Sequence, residues 1–330
     1  MIIGVNGYGY SGSGAVIDLL KEYKEIQVLD KFEFQWLHQP DGIFDLEYQV
    51  VENKGRQNSN AALQRFIRNS RMRPAFALQL ATMGKFHKIS KEYIQNISLV
   101  EWKGYCTYEP YDIYRGHGNI ITTFFDKVVT EVVCKVFHSF QLPLKRKTYF
   151  SMLDKAEFNE HTNKYLKEIF KCLGYNLNTP LVVDQLFSAT RPSKGMEYFN
   201  QAKSIVVIRD PRDIFVDPKT TGRKCNFMPS DTVDNFILYY RKMHKEIDKY
   251  KHKSDVLIIS FEDLVLKYKD TVKKIETYLG IRSDDHINVK KYFNPEISCK
   301  NVGRYKNFPE YKEDITKIEN SLCSWLYKFE

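Results

Sequence analysis

Five short, mostly apolar runs punctuate the chain: Ile2–Val5, Ile26–Leu29, Leu181–Val183, Ser204–Ile208 and Val256–Ile259. Runs of strand length without polar alternation predict strands covered on both faces, as in a parallel sheet. Between the first two, Ala15, Val16, Leu19, Leu20 and Tyr23 recur at helical spacing. Residues 2–29 therefore predict strand, turn, helix and strand, a tight β-α-β unit with a right-handed crossover. Leu264, Val265, Tyr268, Val272, Ile275 and Leu279 form one helical face that Gly280 stops. Another helix starts at Ser230 or Asp231 and runs to about Tyr250. Asn53–Asn69 reads as a polar helix, and Glu101–Thr123, rich in Tyr and Gly, as loops. The fold class is α/β, a central parallel sheet flanked by helices. One domain over 1–330 is expected, with a variable region at about 40–150 of the kind that carries substrate contacts.

Composition narrows the classes. The chain has 330 residues, of which 43% are hydrophobic, so it can bury a sizeable core. No run is long and apolar enough to span a bilayer, and the amino end enters a strand pattern with no basic leader, so a cytoplasmic protein is expected. Six widely spaced cysteines without a C-x-x-C pair argue against a disulfide framework or zinc site. No metal is expected. The net charge of +9 suits an anionic partner. Lys145–Lys147 and Lys249–Lys253 read as solvated helix ends, with no nucleic-acid partner implied. Aromatic residues between Trp102 and Tyr114 could stack on sugar faces.

Two stretches carry chemistry. Five glycines fall within Gly4–Gly14, between the first strand and its helix. Such a turn converges backbone N–H groups at a helix N-terminus, which makes an anion site. Gly7-x-Gly9-x-x-Gly12 satisfies the dinucleotide fingerprint, with Asp30 where a ribose-binding acid belongs, so an NAD(P)-dependent oxidoreductase stays open. A Walker loop fits less well, because Ser13 stands where its lysine should be. The second stretch is Ser204–Asp213, a buried strand ending in Arg209-Asp-Pro-Arg-Asp. Asp210 can cap, and Pro211 can open, the following helix. Arg209 then sits at the carboxyl edge of the sheet, offering a planar fork to a phosphate, with Asp213 placed to orient Arg212.

With both stretches in view, the chain resembles the sulfotransferases that use 3′-phosphoadenosine 5′-phosphosulfate (PAPS), in particular the carbohydrate-type enzymes. Tyr10-Ser11-Gly12-Ser13-Gly14 resembles their 5′-phosphosulfate loop, and Ile208–Asp213 is similar to their 3′-phosphate motif. Ser260–Leu264, followed by a helix ending in Leu279-Gly280-Ile281, resembles their Tyr-Glu-Asp-Leu segment. Lys300–Lys306 resembles the late loop that covers the nucleotide. The resemblance implies a P-loop-like three-layer sulfotransferase fold and transfer of a sulfuryl group from PAPS to a hydroxyl, with a saccharide as acceptor. It implies donor contacts from Tyr10 and from the N–H groups of residues 11–15 (Ser11, Gly12, Ser13, Gly14, Ala15). Arg209, Arg212 and the late-loop residues Gly303, Arg304, Tyr305 and Lys306 complete that set. Lys31-Phe-Glu33-Phe resembles the neighbourhood of the family's catalytic glutamate, so Glu33 is the expected base, with His117 the second candidate.

Two departures matter. The loop lacks the family's Lys or Arg, for which Lys31 or Lys306 could substitute. Asp217 stands where the family has a serine, and an ionised carboxylate there would repel a phosphate. Either it points away, or Thr220, Thr221 and Arg223 reshape the site. A protein that keeps the anion site without catalysis is therefore a further reading.

Overall fold

The computed structural model describes residues 1–104, 128, 132, 146–220 and 227–329. The strands in chain order are β1 (Ile2–Asn6), β2 (Gln27–Leu29), β3 (Val100–Gly104), β4 (Arg146–Phe150), β5 (Leu181–Asp184), β6 (Ala202–Ile208) and β7 (Val256–Ser260). The chain divides into two compact units, Met1–Leu37 with Tyr175–Glu330, and His38–Gly174.

The first unit is built on a five-stranded parallel sheet in the order β2-β5-β1-β6-β7. All five apolar runs are strands; β1, β5, β6 and β7 lack alternation because both faces are covered, while β2, at the edge, buries only Leu29 fully. On one face Ile3, Val5, Ile205, Val207, Leu257 and Ile259 pack with Val16, Leu19 and Leu20 of the helix Ser13–Leu20 and with Leu264, Ile275 and Leu279. A second cluster, around Phe215, Phe236 and Tyr240, joins the helices Pro211–Thr220, Val233–Asp248 and Lys312–Ser321. The α/β class with a central parallel sheet is thus the observed fold.

Strand order corrects one reading. β2 does not lie beside β1, because β5 comes between them: Leu181 pairs with Ile2 on one side and Gln27 on the other. Counted in chain order, the five strands run 2-3-1-4-5, whereas a dinucleotide sheet runs 3-2-1-4-5. Asp30 is also committed, pairing with Lys21. Both facts weigh against the NAD(P) reading. β1 and β6 are neighbours, so the glycine loop and the Arg209 motif leave the same carboxyl edge side by side.

The helix read across Leu264–Leu279 is two helices, Phe261–Leu266 and Tyr268–Leu279. Ser260 caps the first by accepting the Asp263 N–H (3.0 Å), and the chain leaves helical geometry at Lys267 (φ −117°, ψ 45°). The apolar face continues across this break, so its spacing alone could not reveal it. Gly280 ends Tyr268–Leu279 at φ 73°, as the sequence implied, whereas the helix expected from Ser230 or Asp231 begins later, at Val233, with Thr232 as its cap.

The second unit packs the helices Arg56–Asn69, Lys85–Ile97 and Lys155–Cys172 with an antiparallel pair, β3 and β4. Its centre is aromatic. Tyr93 and Tyr165 stack at 4.3 Å, and their hydroxyls bond Thr162 and Ser90 respectively (both 2.8 Å). Glu101–Gly104 is therefore strand, not loop, and Lys147 lies in β4 paired with Glu101 (2.6 Å), not at a helix end. The rest of the 101–123 stretch lies outside the described residues.

Candidate functional site: a nucleotide-sized cleft at the carboxyl edge of the sheet

The loop after β1 keeps its shape through backbone conformation and one glutamine. Tyr10 (φ 66°) and Gly12 (φ 87°) are left-handed, and a Cβ on Gly12 would stand 2.6 Å from the Phe261 ring. Gln185, just after β5, accepts the Gly7 N–H (3.1 Å) and donates to Ser13 Oγ (3.0 Å). Ser11 Oγ accepts the Tyr8 N–H (3.3 Å), and both serines are buried. Their hydroxyls thus hold the turn. The N–H groups of Ser11 and Ala15 bond the carbonyls of Tyr8 and Gly12 (2.9 and 3.0 Å). Gly12, Ser13 and Gly14 remain as the first-turn donors that a helix leaves without intrahelical partners.

Arg209 ties this loop to two others. Nη1 donates to the Tyr10 carbonyl (3.0 Å) and to Asp217 Oδ2 (2.6 Å), while Nη2 donates to the Asn301 carbonyl (2.7 Å). The guanidinium lies over the Phe261 ring at 5.2 Å. Asp213 is buried and accepts the N–H groups of Gly303 (2.8 Å) and Tyr305 (2.9 Å), so it anchors the late loop and does not orient Arg212. Burial pushes its carboxyl up to about 6 against the pull of Arg209. Arg212 is held by Asp210 (2.7 Å) and Glu319 (2.9 Å) and lies over the Tyr305 ring at 4.4 Å.

A cleft of about 530 Å³ opens between these elements, a size suited to a nucleotide. Of the expected donor residues, Tyr10, Gly12, Gly14, Ala15, Arg209 and Arg304 line it; Ser11, Ser13, Arg212, Gly303, Tyr305 and Lys306 do not. Lys306 instead lies over the Phe329 ring at 4.8 Å. Asp217 does line the cleft, so it does not point away. Thr220 Oγ1 is turned to the Val216 carbonyl (2.9 Å), and Thr221 and Arg223 lie outside the described residues.

One wall escaped the sequence reading. Lys290, Lys291, Phe293 and Asn294 line the cleft; Lys290 is paired with Glu296 (2.7 Å), while Lys291, over the Tyr292 ring at 5.3 Å, adds positive charge where the glycine loop has none. Buried Glu22, just past the first helix, shapes this wall. It accepts the N–H groups of Lys290 (3.0 Å), Tyr292 and Phe293 (both 2.9 Å), and bonds His286 Nε2 (2.6 Å). Glu22→Ala would strand three backbone donors, each costing about 1–3 kcal/mol. We expect urea unfolding to show a loss of about 3 kcal/mol or more; a loss below about 1 kcal/mol would mean that the segment re-pairs without Glu22.

The expected base lies near the same edge. Lys31 and Glu33 are exposed beyond β2, and Glu33 accepts a bond from Gln35 (2.6 Å). His117 lies outside the described residues. Sequence reasoning missed Asp184 at the end of β5. Burial, followed by the nearby charges of Glu33 and Asp30, pushes its carboxyl up to about 7. Its Oδ1 is buried without a partner among the described residues.

Residues 176–296 match the family model for the sulfotransferase domain. That stretch holds Ile208–Asp213 and Ser260–Leu264, and it bears out the family resemblance read from them. The glycine loop and the late loop fall outside it. No curated protein matches the chain. Among solved structures the chain is similar to the sulfotransferase domain of the Synechococcus PCC 7002 olefin synthase, at 11% identity over 87% of this chain and 75% of that one, with a TM-score of 0.39. A second is the sulfotransferase domain from the curacin biosynthetic pathway, at 11% identity over 100% and 98%, TM-score 0.40. Mouse sulfotransferase SULT7A1, complexed with PAP, is similar at 17% identity over 52% and 72%, TM-score 0.32. Overlaps this loose assign no residue of the site.

Proposed function

We propose that this protein transfers a sulfuryl group from PAPS to a hydroxyl acceptor, with a saccharide as the acceptor class and the region at about 40–150 as the source of acceptor contacts. The observation that carries the reading is the single cleft shared by the glycine loop and Arg209. The two are 199 residues apart in sequence yet joined by a hydrogen bond from Arg209 to the Tyr10 carbonyl. The loop lies outside the stretch matched to the sulfotransferase domain, so fold and family support the reading separately.

The chemistry is an in-line displacement. The acceptor oxygen bonds to sulfur as the bond from sulfur to the bridging phosphate oxygen breaks. The departing 3′-phosphoadenosine 5′-phosphate takes the electron pair, and the acceptor's proton passes to a carboxylate. First-turn N–H groups of Gly12 and Gly14, the helix dipole and Lys291 are suited to the charge that grows on the leaving side. Arg209 and Arg304 suit the 3′-phosphate. Asp184, tuned by Glu33, is the proposed base.

Calorimetric titration tests the donor site. 3′-Phosphoadenosine 5′-phosphate should bind, and NAD(P) should not. Incubation with PAPS and a panel of saccharides should then give a product carrying one added sulfuryl group by mass. Binding of NAD(P) alone would overturn the reading, and nucleotide binding without transfer to any hydroxyl would reduce it to a non-catalytic binding protein.

A further inference from the structure

Asp217 carries an inference that rests on the donor reading above and sharpens it. Its two oxygens are divided between two guanidiniums: Oδ2 with Arg209 at 2.6 Å and Oδ1 with Arg304 at 3.0 Å. All three side chains line the cleft. Asp217 is only 9% exposed and Arg209 5%, so water screens this pair little. A second carboxylate, Asp213, lies 3.9 Å from Arg209. Two cations thus face two acidic side chains, and this end of the cleft carries far less charge than its arginines alone would give.

We propose that Asp217 is an internal counter-ion that competes with an incoming phosphate for Arg209 and Arg304. It thereby sets how strongly the cleft distinguishes a 3′-phosphorylated nucleotide from one with a free 3′-hydroxyl. A phosphate reaching these guanidiniums must displace the carboxylate or sit beside it, at a cost in like-charge repulsion. A ribose hydroxyl meets no such cost, because a carboxylate accepts its hydrogen bond. Specificity here is a difference between two affinities, and Asp217 acts on one of them.

The test compares adenosine 3′,5′-bisphosphate with adenosine 5′-phosphate on the full chain and on Asp217→Ser, by calorimetry at fixed salt. The parent should favour the bisphosphate by less than about tenfold, and Asp217→Ser should raise that preference by a further tenfold or more. Asp217→Asn, which keeps the shape and one acceptor oxygen, should raise it less. Thermal unfolding in inorganic phosphate alone gives a second reading. Phosphate should raise the Tm of Asp217→Ser more than that of the parent, because it replaces the missing counter-ion. A parent preference above about a hundredfold, unchanged in Asp217→Ser, would overturn the counter-ion role while leaving the donor reading intact. If neither nucleotide binds either folded protein, both fall.

Discussion

Arg209→Lys is expected to weaken binding of 3′-phosphoadenosine 5′-phosphate by about tenfold and to lower the Tm at the same time. The guanidinium reaches the Tyr10 carbonyl, Asp217 and the Asn301 carbonyl from two nitrogens of one plane (3.0, 2.6 and 2.7 Å). It also rests on the Phe261 ring. Lysine keeps the charge but cannot make that fork or stack flat on the ring. Arg209→Ala removes the charge as well and leaves Asp213 and Asp217 short of a buried partner, which costs about 3–5 kcal/mol. Separating the two effects needs both measurements. An affinity unchanged in Arg209→Lys, with only the Tm lowered, would make Arg209 a brace between loops and remove it from the donor site.

What could be read in the sequence follows from how local each cause is. β1, β5, β6 and β7 announce themselves because burial on both faces leaves nearly continuous apolar runs. Their order does not, because β5 enters between β1 and β2 from about 150 residues further along the chain. The glycine turn and Arg209-Asp-Pro-Arg-Asp are legible for the same reason: a few adjacent residues dictate each backbone path. Which hydroxyls and cations face the ligand is decided elsewhere. Gln185 turns Ser13 into the loop's frame, and Asp210 with Glu319 holds Arg212. Lys290 and Lys291 carry no motif, since Glu22 sets their segment through bonds spanning 268 to 271 residues. Asp217 is visible in the sequence as a departure from a family pattern. Its sharing between Arg209 and Arg304 is visible only in three dimensions.

Asp184→Asn should lower turnover by about a hundredfold while leaving nucleotide affinity within about threefold, since Asp184 does not line the nucleotide cleft. A base must be ionised, so the parent's rate should rise with pH through about 7, where burial and the charges of Glu33 and Asp30 hold this carboxyl. Stability should move the opposite way. The folded carboxyl keeps a proton that the unfolded chain releases near 3.8, so the parent loses stability as pH rises from there to about 7. Asparagine abolishes that loss, and the variant should gain on the parent across this window in unfolding measurements. Glu33→Gln separates the two carboxylates. Removing a neighbouring negative charge lets Asp184 ionise at lower pH, so the midpoint of the rate profile should fall and turnover should drop by less than about tenfold. A hundredfold loss in Glu33→Gln with near-normal rates in Asp184→Asn would return the base to Glu33, the residue the sequence nominated. That outcome would leave Asp184 as a strand end whose buried charge does no chemistry.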